Sequence, residues 1–269
     1  MYWKFIGGSS IQQAIKTIQK TPYLPIFDYA KESSRSAHEA FNYLTRMKKD
    51  VSANTIPDAS FAIKYSSYNS ISHIDEIIDH MIKANITTII LDAESDKLHD
   101  SERRAFDTLL RKYNQDNIIL YKTYQLYRSD TLEELSEDLF KKYNYHGVKL
   151  TRGAYLSEDG HKNVIYKTKA LTDKNFDTAV GMVLNNIKNN KVIIATHNNE
   201  SIKAAVHQID SQKRQQVSFA QLLGMNDKAS AALHENNFTV YKYVPYGGML
   251  ETWPYLLRRL YEARMLKYI

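Results

Sequence analysis

Eight short runs rich in β-branched and aromatic residues recur along the chain, at 24–29, 60–65, 87–92, 117–123, 147–152, 191–196, 217–222 and 239–243. Each is followed by a stretch with helical periodicity, at 35–48, 74–84, 101–112, 132–143, 175–189, 200–208, 228–235 and 250–266. Parallel strands need a long crossover between them, usually a helix, so strict alternation predicts βαβ units. Eight units closing on themselves predict an α/β fold, a (β/α)8 TIM-type barrel, which takes about 250 residues. The 269 residues suffice for a single barrel domain over 1–269, with an additional N-terminal helix at 10–20 inside a helical segment 1–22. A doubly wound open sheet is the competing architecture. It usually seats a nucleotide on a glycine-rich first turn, and Phe27-Asp-Tyr-Ala-Lys-Glu-Ser33 has no glycine.

Composition narrows the chemistry. The chain has no cysteine, which excludes disulfides, thiolate nucleophiles and iron–sulfur clusters, so redox work would need a bound cofactor. The net charge of +6 suits a phosphate-bearing cofactor or peripheral contact with an anionic membrane. No block of like charges, aromatic RNA-binding motif or zinc-finger spacing accompanies it, so no nucleic acid is expected. The nine histidines lack paired metal-ligand spacing, and no metal site is expected. No Gly-x-Ser-x-Gly elbow, Walker A loop or nicotinamide-type glycine fingerprint occurs. No apolar run approaches the ~18 residues of a membrane span. The chain is expected to be soluble or membrane-peripheral, in cytoplasm or mitochondria.

In such barrels the reactive groups sit at the C-terminal strand ends. Lys64, Asp92, Gln125, Lys149, Arg152, Thr196-His197-Asn198 and Tyr243 all fall there. Asp92 leaves the apolar run Thr-Thr-Ile-Ile-Leu carrying a charge that needs a partner. Lys64 and Arg259 are candidates, and helix capping is the plainer alternative. Gly153-Ala-Tyr155 leaves the backbone bare enough for close approach of a flat ligand. His197 could lie against or hydrogen-bond a ring, and Asn198 could cap the next helix. On the last helix Tyr255, Arg258, Arg259 and Glu262 stand at i, i+3, i+4 and i+7, along one side. Two adjacent guanidinium forks suit a carboxylate; a solvated basic face is the other reading.

Five stretches together resemble the proline dehydrogenase family: Leu91-Asp-Ala-Glu94, Val148-Lys-Leu-Thr-Arg-Gly-Ala-Tyr-Leu156, Ala195-Thr-His-Asn198, Phe219-Ala-Gln-Leu-Leu-Gly-Met225, and the segment from Tyr241 to Glu262. The closing Tyr-x-x-Arg-Arg-x-x-Glu is the most specific of them. The resemblance is to the eukaryotic form in particular. It implies FAD-dependent oxidation of L-proline to Δ1-pyrroline-5-carboxylate, with electrons passing to a quinone or other acceptor. By that resemblance Lys64, Arg258 and Arg259 bind the proline carboxylate, and Leu222, Tyr243 and Tyr255 wall its ring. Asp92 holds neighbouring polar groups in register, and Glu262 orients the arginine helix. FAD contacts fall on Ala93, Gln125, Lys149, Arg152, Gly153, Ala154, Thr196, His197 and Gln221. Lys149 sits beside the flavin N5 and O4 edge, where a cation stabilises the reduced ring. Two departures from the family pattern stand out: bacterial relatives commonly carry arginine at Lys149, and Ala263 replaces a frequent asparagine. A hydroxyproline or other cyclic imino acid dehydrogenase is the alternative within enzymes, and a basic barrel that binds without catalysing is the alternative outside them.

Overall fold

The computed structural model describes residues 2–31 and 33–265, with side chains for 4–31 and 33–257. Eight parallel strands close into one barrel in chain order. They are β1 Leu24–Tyr29, β2 Ser60–Lys64, β3 Ile89–Asp92, β4 Leu120–Gln125, β5 His146–Thr151, β6 Asn190–Ala195, β7 Val217–Leu222 and β8 Thr239–Tyr246. Pairing of β1 with β8, with Ile26 opposite Tyr243, closes the ring. The fold is the TIM-type barrel expected from the alternation. The helices are α1 Ile11–Ile18, α2 Ala37–Ser52, α3 Tyr65–Tyr68, α4 Ile71–Lys83, α5 His99–Tyr113, α6 Thr131–Glu137, α7 Leu156–Asp159, α8 Lys169–Asn185, α9 Asn199–His207, α10 Asp227–Glu235 and α11 Met249–Met265.

Side chains alternate faces along a strand, so each strand feeds two different environments. Phe27, Phe61, Leu91 and Val244 point outward and pack beneath the helices α1, α2, α4 and α5. Val148, Ile194 and Phe219 do the same against α8 and its neighbours. The lumen takes the other register, where Ile26, Ala62, Ile90, Tyr121, Ile193, Ala220 and Tyr241 form an apolar plug. Two residues further along the same register the character changes. Asp28, Lys64, Asp92, Thr123, Lys149 and Tyr243 form a buried polar layer at the C-terminal mouth.

The N-terminal helix has a specific task. Ile11, Ala14, Ile15 and Ile18 pack on the outward faces of β1 and β8, beside Phe27 and Val244. Gly7 enters this seam because an added Cβ would lie 2.5 Å from the Val244 side chain and 2.9 Å from that of Ala14. With α1 covering that wall, α11 is free to lie over the mouth, where Tyr255 and Leu256 pack on Ile6 with Leu222 alongside. Among the described residues no helix is long and apolar enough to cross a membrane.

Several boundaries shift from expectation. β4 starts at Leu120 rather than 117 because Asn114 Oδ1 accepts from the backbone N–H groups of Ile119 and Leu120, bending that stretch into a turn. β8 runs on to Tyr246 through Pro245, whose carbonyl accepts from Gly7 N at 2.8 Å. α8 starts at Lys169, six residues early, where the Thr168 side chain caps Leu171 N.

Candidate active site

The polar layer at the mouth is built around Asp92. Lys149 Nζ donates to Asp92 Oδ1 and, at 2.9 Å, to the Tyr243 hydroxyl oxygen. Tyr243 O–H donates to Asp92 Oδ2 at 2.6 Å, and Thr123 Oγ1 reaches Oδ1 at 3.3 Å. Lys149 also lies 4.4 Å from the centre of the Tyr243 ring, close enough for a cation–π contact. Burial pushes the Tyr243 phenol well above its ordinary 10, and the charges of Asp92 and Asp28 add to this. Its proton therefore stays on oxygen and the group acts as a donor. Beside this triad Lys64 Nζ donates to Asp28 Oδ1 at 2.6 Å, so β1 and β2 contribute a second buried pair. The expectation that Lys64 would meet Asp92 needs correcting, while the side chain of Arg259, the other expected partner, lies outside the described residues. Among the described residues the cation on Asp92 is Lys149, across the lumen.

The loops beyond the strands are tied to one another. Gln125 Nε2 donates to the Glu94 carbonyl at 2.8 Å, while its Oε1 accepts from Ala154 N at 3.2 Å. Ala93 is half-buried just inside this bridge. Gly153 has φ +131°, and a Cβ there would sit 2.4 Å from the Tyr127 ring, so glycine is required on two counts. Arg152 is fixed by Asp173 at 2.7 Å, by the Thr196 hydroxyl and by Ser201 at 2.8 Å, with its guanidinium 4.3 Å from the centre of the Phe176 ring. Burial opposes the Asp173 charge, yet hydrogen bonds from Lys169 and Arg152 outweigh it and hold that carboxyl below its usual range.

His197 Nε2 accepts from Leu222 N at 3.0 Å, which clips the end of β6 to that of β7. Asn198 caps α9 by accepting from Glu200 N at 3.0 Å. Gln221 stands apart from the other site candidates. It occupies the outward register of β7, accepts from Ser230 Oγ at 2.9 Å and donates to the Thr196 carbonyl at 3.4 Å. Tyr255 and Leu222 share one apolar cluster above the mouth. Glu251, in the first turn of α11, accepts from the Tyr29 hydroxyl at 3.0 Å and fastens the helix to the end of β1. Arg258, Arg259 and Glu262 belong to α11, and their side chains lie outside the described residues, as does that of Ala263.

The structure thus gathers Lys64, Asp92, Lys149 and Tyr243 in one layer, with Ala93, Gln125, Arg152, Gly153, Ala154, Thr196 and His197 in the rim around it. Sequence reasoning passed over Asp28, Thr123, Glu94 and Asp173. The period-2 lumen register, followed from Ile26 to Asp28 and from Tyr121 to Thr123, carries the signal for the first two.

Comparison with known proteins bears on the family and the fold. The sequence model of the family described as proline dehydrogenase matches residues 11–266. The chain is 32% identical over 200 residues to proline dehydrogenase 1, mitochondrial, of Drosophila melanogaster, covering 65% of this chain and 29% of that protein. It is 32% identical over 195 residues to the protein of the same name from Homo sapiens, covering 66% and 32%. It is also 31% identical over 212 residues to a hydroxyproline dehydrogenase of Xenopus laevis, covering 72% and 45%. The chain therefore spans less than half the length of these relatives. In fold it resembles proline utilization A from Bdellovibrio bacteriovorus, with a TM-score of 0.85 at 19% identity, covering 96% of this chain and 32% of that one.

Proposed function

The chain belongs to the proline dehydrogenase family, and on that premise we propose that it oxidises L-proline to Δ1-pyrroline-5-carboxylate with FAD. In this reading it works as a single barrel unit, and a quinone or other acceptor takes the electrons, with peripheral membrane contact where that acceptor is a lipid quinone. The observation that carries the proposal is the buried Asp92–Lys149–Tyr243 triad at the mouth, a fixed cation beside a protonated phenol.

The donor set suits a flavin dinucleotide. Lys149 and the Gln125 amide match the hetero-edge of a flat ring, and the short side chains of Gly153 and Ala154 leave room for its face. Arg152, held by Asp173 and Thr196, suits a diphosphate. Thr196, His197 and Ala93 complete the rim, and Gln221 is left in a supporting position behind Thr196. FAD bound there supplies the acceptor for a hydride from the ring carbon beside nitrogen. Asp92 accepts from both Lys149 and Tyr243 and so holds them in register. Proline reacts as its free amine, since hydride loss from an ammonium would build up further positive charge, and the proton departs to a base or ordered water. Lys64, Arg258 and Arg259 hold the carboxylate, Glu262 steadies the arginines, and Tyr243, Tyr255 and Leu222 enclose the ring. Fixing the carboxylate in this way supplies orientation, a large part of such catalysis.

The test is direct. Purified protein should be yellow, or become so with added FAD, and anaerobic L-proline should bleach its flavin absorbance. Protein that cannot take up FAD would sink the proposal and leave a binding barrel. Arg258→Met should raise the KM for proline with a smaller change in kcat. The Xenopus relative's name makes hydroxyproline the second substrate to try, because the same clamp would hold it and only the ring wall would discriminate. A higher kcat/KM for hydroxyproline would transfer the assignment to that substrate.

A further inference from the structure

Glu102 is a carboxylate in an apolar place. It falls in register with Ala105, Phe106, Leu109 and Leu110 on the buried face of α5 and is 3% exposed. Its two carboxyl oxygens lie 3.1 and 3.2 Å from the backbone N–H of Glu94, which donates to them. The Glu94 carboxyl lies near enough for its charge to act on that of Glu102. Glu94 in turn accepts from Ser66 N at 2.8 Å and from Ser66 Oγ at 2.5 Å. Its carbonyl accepts from Gln125, which accepts from Ala154 N. One pair of acids thus connects the segments following β2, β3, β4 and β5.

We propose that Glu102, by accepting from the Glu94 N–H whose own carboxylate holds Ser66, is a positioning residue that keeps the backbone after Lys64 and after Asp92 in the geometry the substrate site requires. The spacing supports this. Ser66 lies two residues beyond Lys64 and Glu94 two beyond Asp92, so the bonds fall immediately behind the two side chains that face the lumen. Burial, reinforced by the neighbouring Glu94 charge, raises the Glu102 carboxyl well above its ordinary 4.5, as expected for an acid set on an apolar helix face. Gln125, a rim residue for the cofactor, hangs from the same point, so one change at α5 reaches both halves of the site.

The inference rests on the substrate-site assignment above. The experiment therefore pairs a functional readout with one that needs no substrate. FAD-loaded wild type, Glu102→Gln and Glu102→Leu are compared by amide hydrogen exchange over 64–69 and 92–96, and by kcat and KM for proline. Glutamine keeps a side-chain oxygen that can accept from Glu94 N, so both readouts should stay within about twofold of wild type. Leucine removes the link. Exchange should then quicken by about tenfold and KM should rise by about tenfold, with kcat within about threefold. Where Glu102→Leu does not fold, Glu102→Asp withdraws the carboxyl by one methylene and should move both readouts in the same direction. Unchanged exchange in Glu102→Leu, a rise in exchange with no rise in KM, or a Gln variant as impaired as Leu would each overturn the role. If wild type itself turns over no proline, the functional reading falls, while the exchange comparison still judges the carboxyl link.

Discussion

Two buried lysine–aspartate–tyrosine groups sit on opposite faces of the same barrel wall, and their chemistry diverges. Inside, Lys149 bonds Asp92 and Tyr243. Outside, Lys122 of β4 donates to Asp138 at 2.6 Å, Tyr124 donates to the same oxygen at 2.6 Å, and the lysine lies 5.1 Å from the centre of the Tyr124 ring. Among the described residues the inner group has one cation and one anion and stands at the C-terminal mouth. The outer group is closed in, with Glu134 at 2.8 Å from Lys122, Asp107 and Lys142 close by, and His146 Nε2 at 2.6 Å from the Tyr124 hydroxyl. The same residue types therefore serve contact with a ligand in one register and cohesion between strand and helix in the other. What separates them is a single step along the strand, since Lys122 faces out where Thr123 faces in.

That contrast predicts a double dissociation, and Lys122→Met should have the largest effect. It strands Glu134 and Asp138 without their shared cation, and breaking a buried pair from one side costs about 3–5 kcal/mol. Chemical denaturation should show this loss, while surviving folded protein should keep its proline KM. Lys149→Met should do the reverse. Removing a fixed cation from a site of developing charge lowers kcat by about 10²–10³-fold. Lys149 serves one carboxylate where Lys122 serves two, and Asp92 keeps Tyr243 and Thr123 as donors, so stability should fall by less than in Lys122→Met. Equal losses of stability in the two variants would erase the distinction.

Much of this was legible in the sequence, and the limits have physical causes. The limits of β1 and β7 coincide with the runs read at 24–29 and 217–222. Asp92, Lys149 and Tyr243 were each identifiable as strand-end residues. Their bonding to one another was not, since 57 residues separate the first two and 151 separate Asp92 from Tyr243. Only closure of the barrel sets those neighbours, which is why Lys64 and Arg259 stood as partners for Asp92. The helix read over 132–143 covers both α6 and a widened π-helical turn, Asp138–Lys142, in which Asp138 meets Lys122. Glu102 carried a usable signal, an acid at an apolar-face position of α5, but a single helix does not say which loop it would bond.

Acid should separate the two regions next. Burial pushes the His146 imidazole down to about 3, with the charge of Asp138 partly opposing that shift. In the unfolded chain it titrates near 6.5, so below that pH the unfolded state binds the proton first. The stability contributed by neutral His146 is complete above about 6.5 and is lost as pH falls toward 3, by roughly 2 kcal/mol at pH 5. Glu102 has the opposite sign. Its raised folded value makes its contribution complete below about 4.5 and lost as pH rises toward that value. From pH 7 to 5 these two contributions oppose each other, so the denaturant midpoint of His146→Gln should rise relative to that of wild type as pH falls. His99, also lowered by burial and by the charge of Arg128, should retain part of the slope in that variant. An identical slope in the two proteins would remove His146 from the account.

The smallest effect expected tests whether the inner triad depends on the helix above it. Tyr29 O–H donates to Glu251 across the first turn of α11, and burial followed by the Glu251 charge raises the phenol to about 12. The bond is thus complete below about 10 and is lost as pH climbs through 12, so at neutral pH it is fully present. Tyr29→Phe deletes it and should cost about 0.5–1.5 kcal/mol. Because α11 carries Arg258 and Arg259, loosening its first turn should raise the proline KM about threefold while kcat holds, if those arginines grip the carboxylate. Lys122→Met shares none of this geometry and should leave KM alone, so the ratio of KM change to stability change distinguishes a latch from a staple. A lower melting temperature with an unmoved KM in Tyr29→Phe would make the contact a staple, and the inner triad would then be independent of the helix over it.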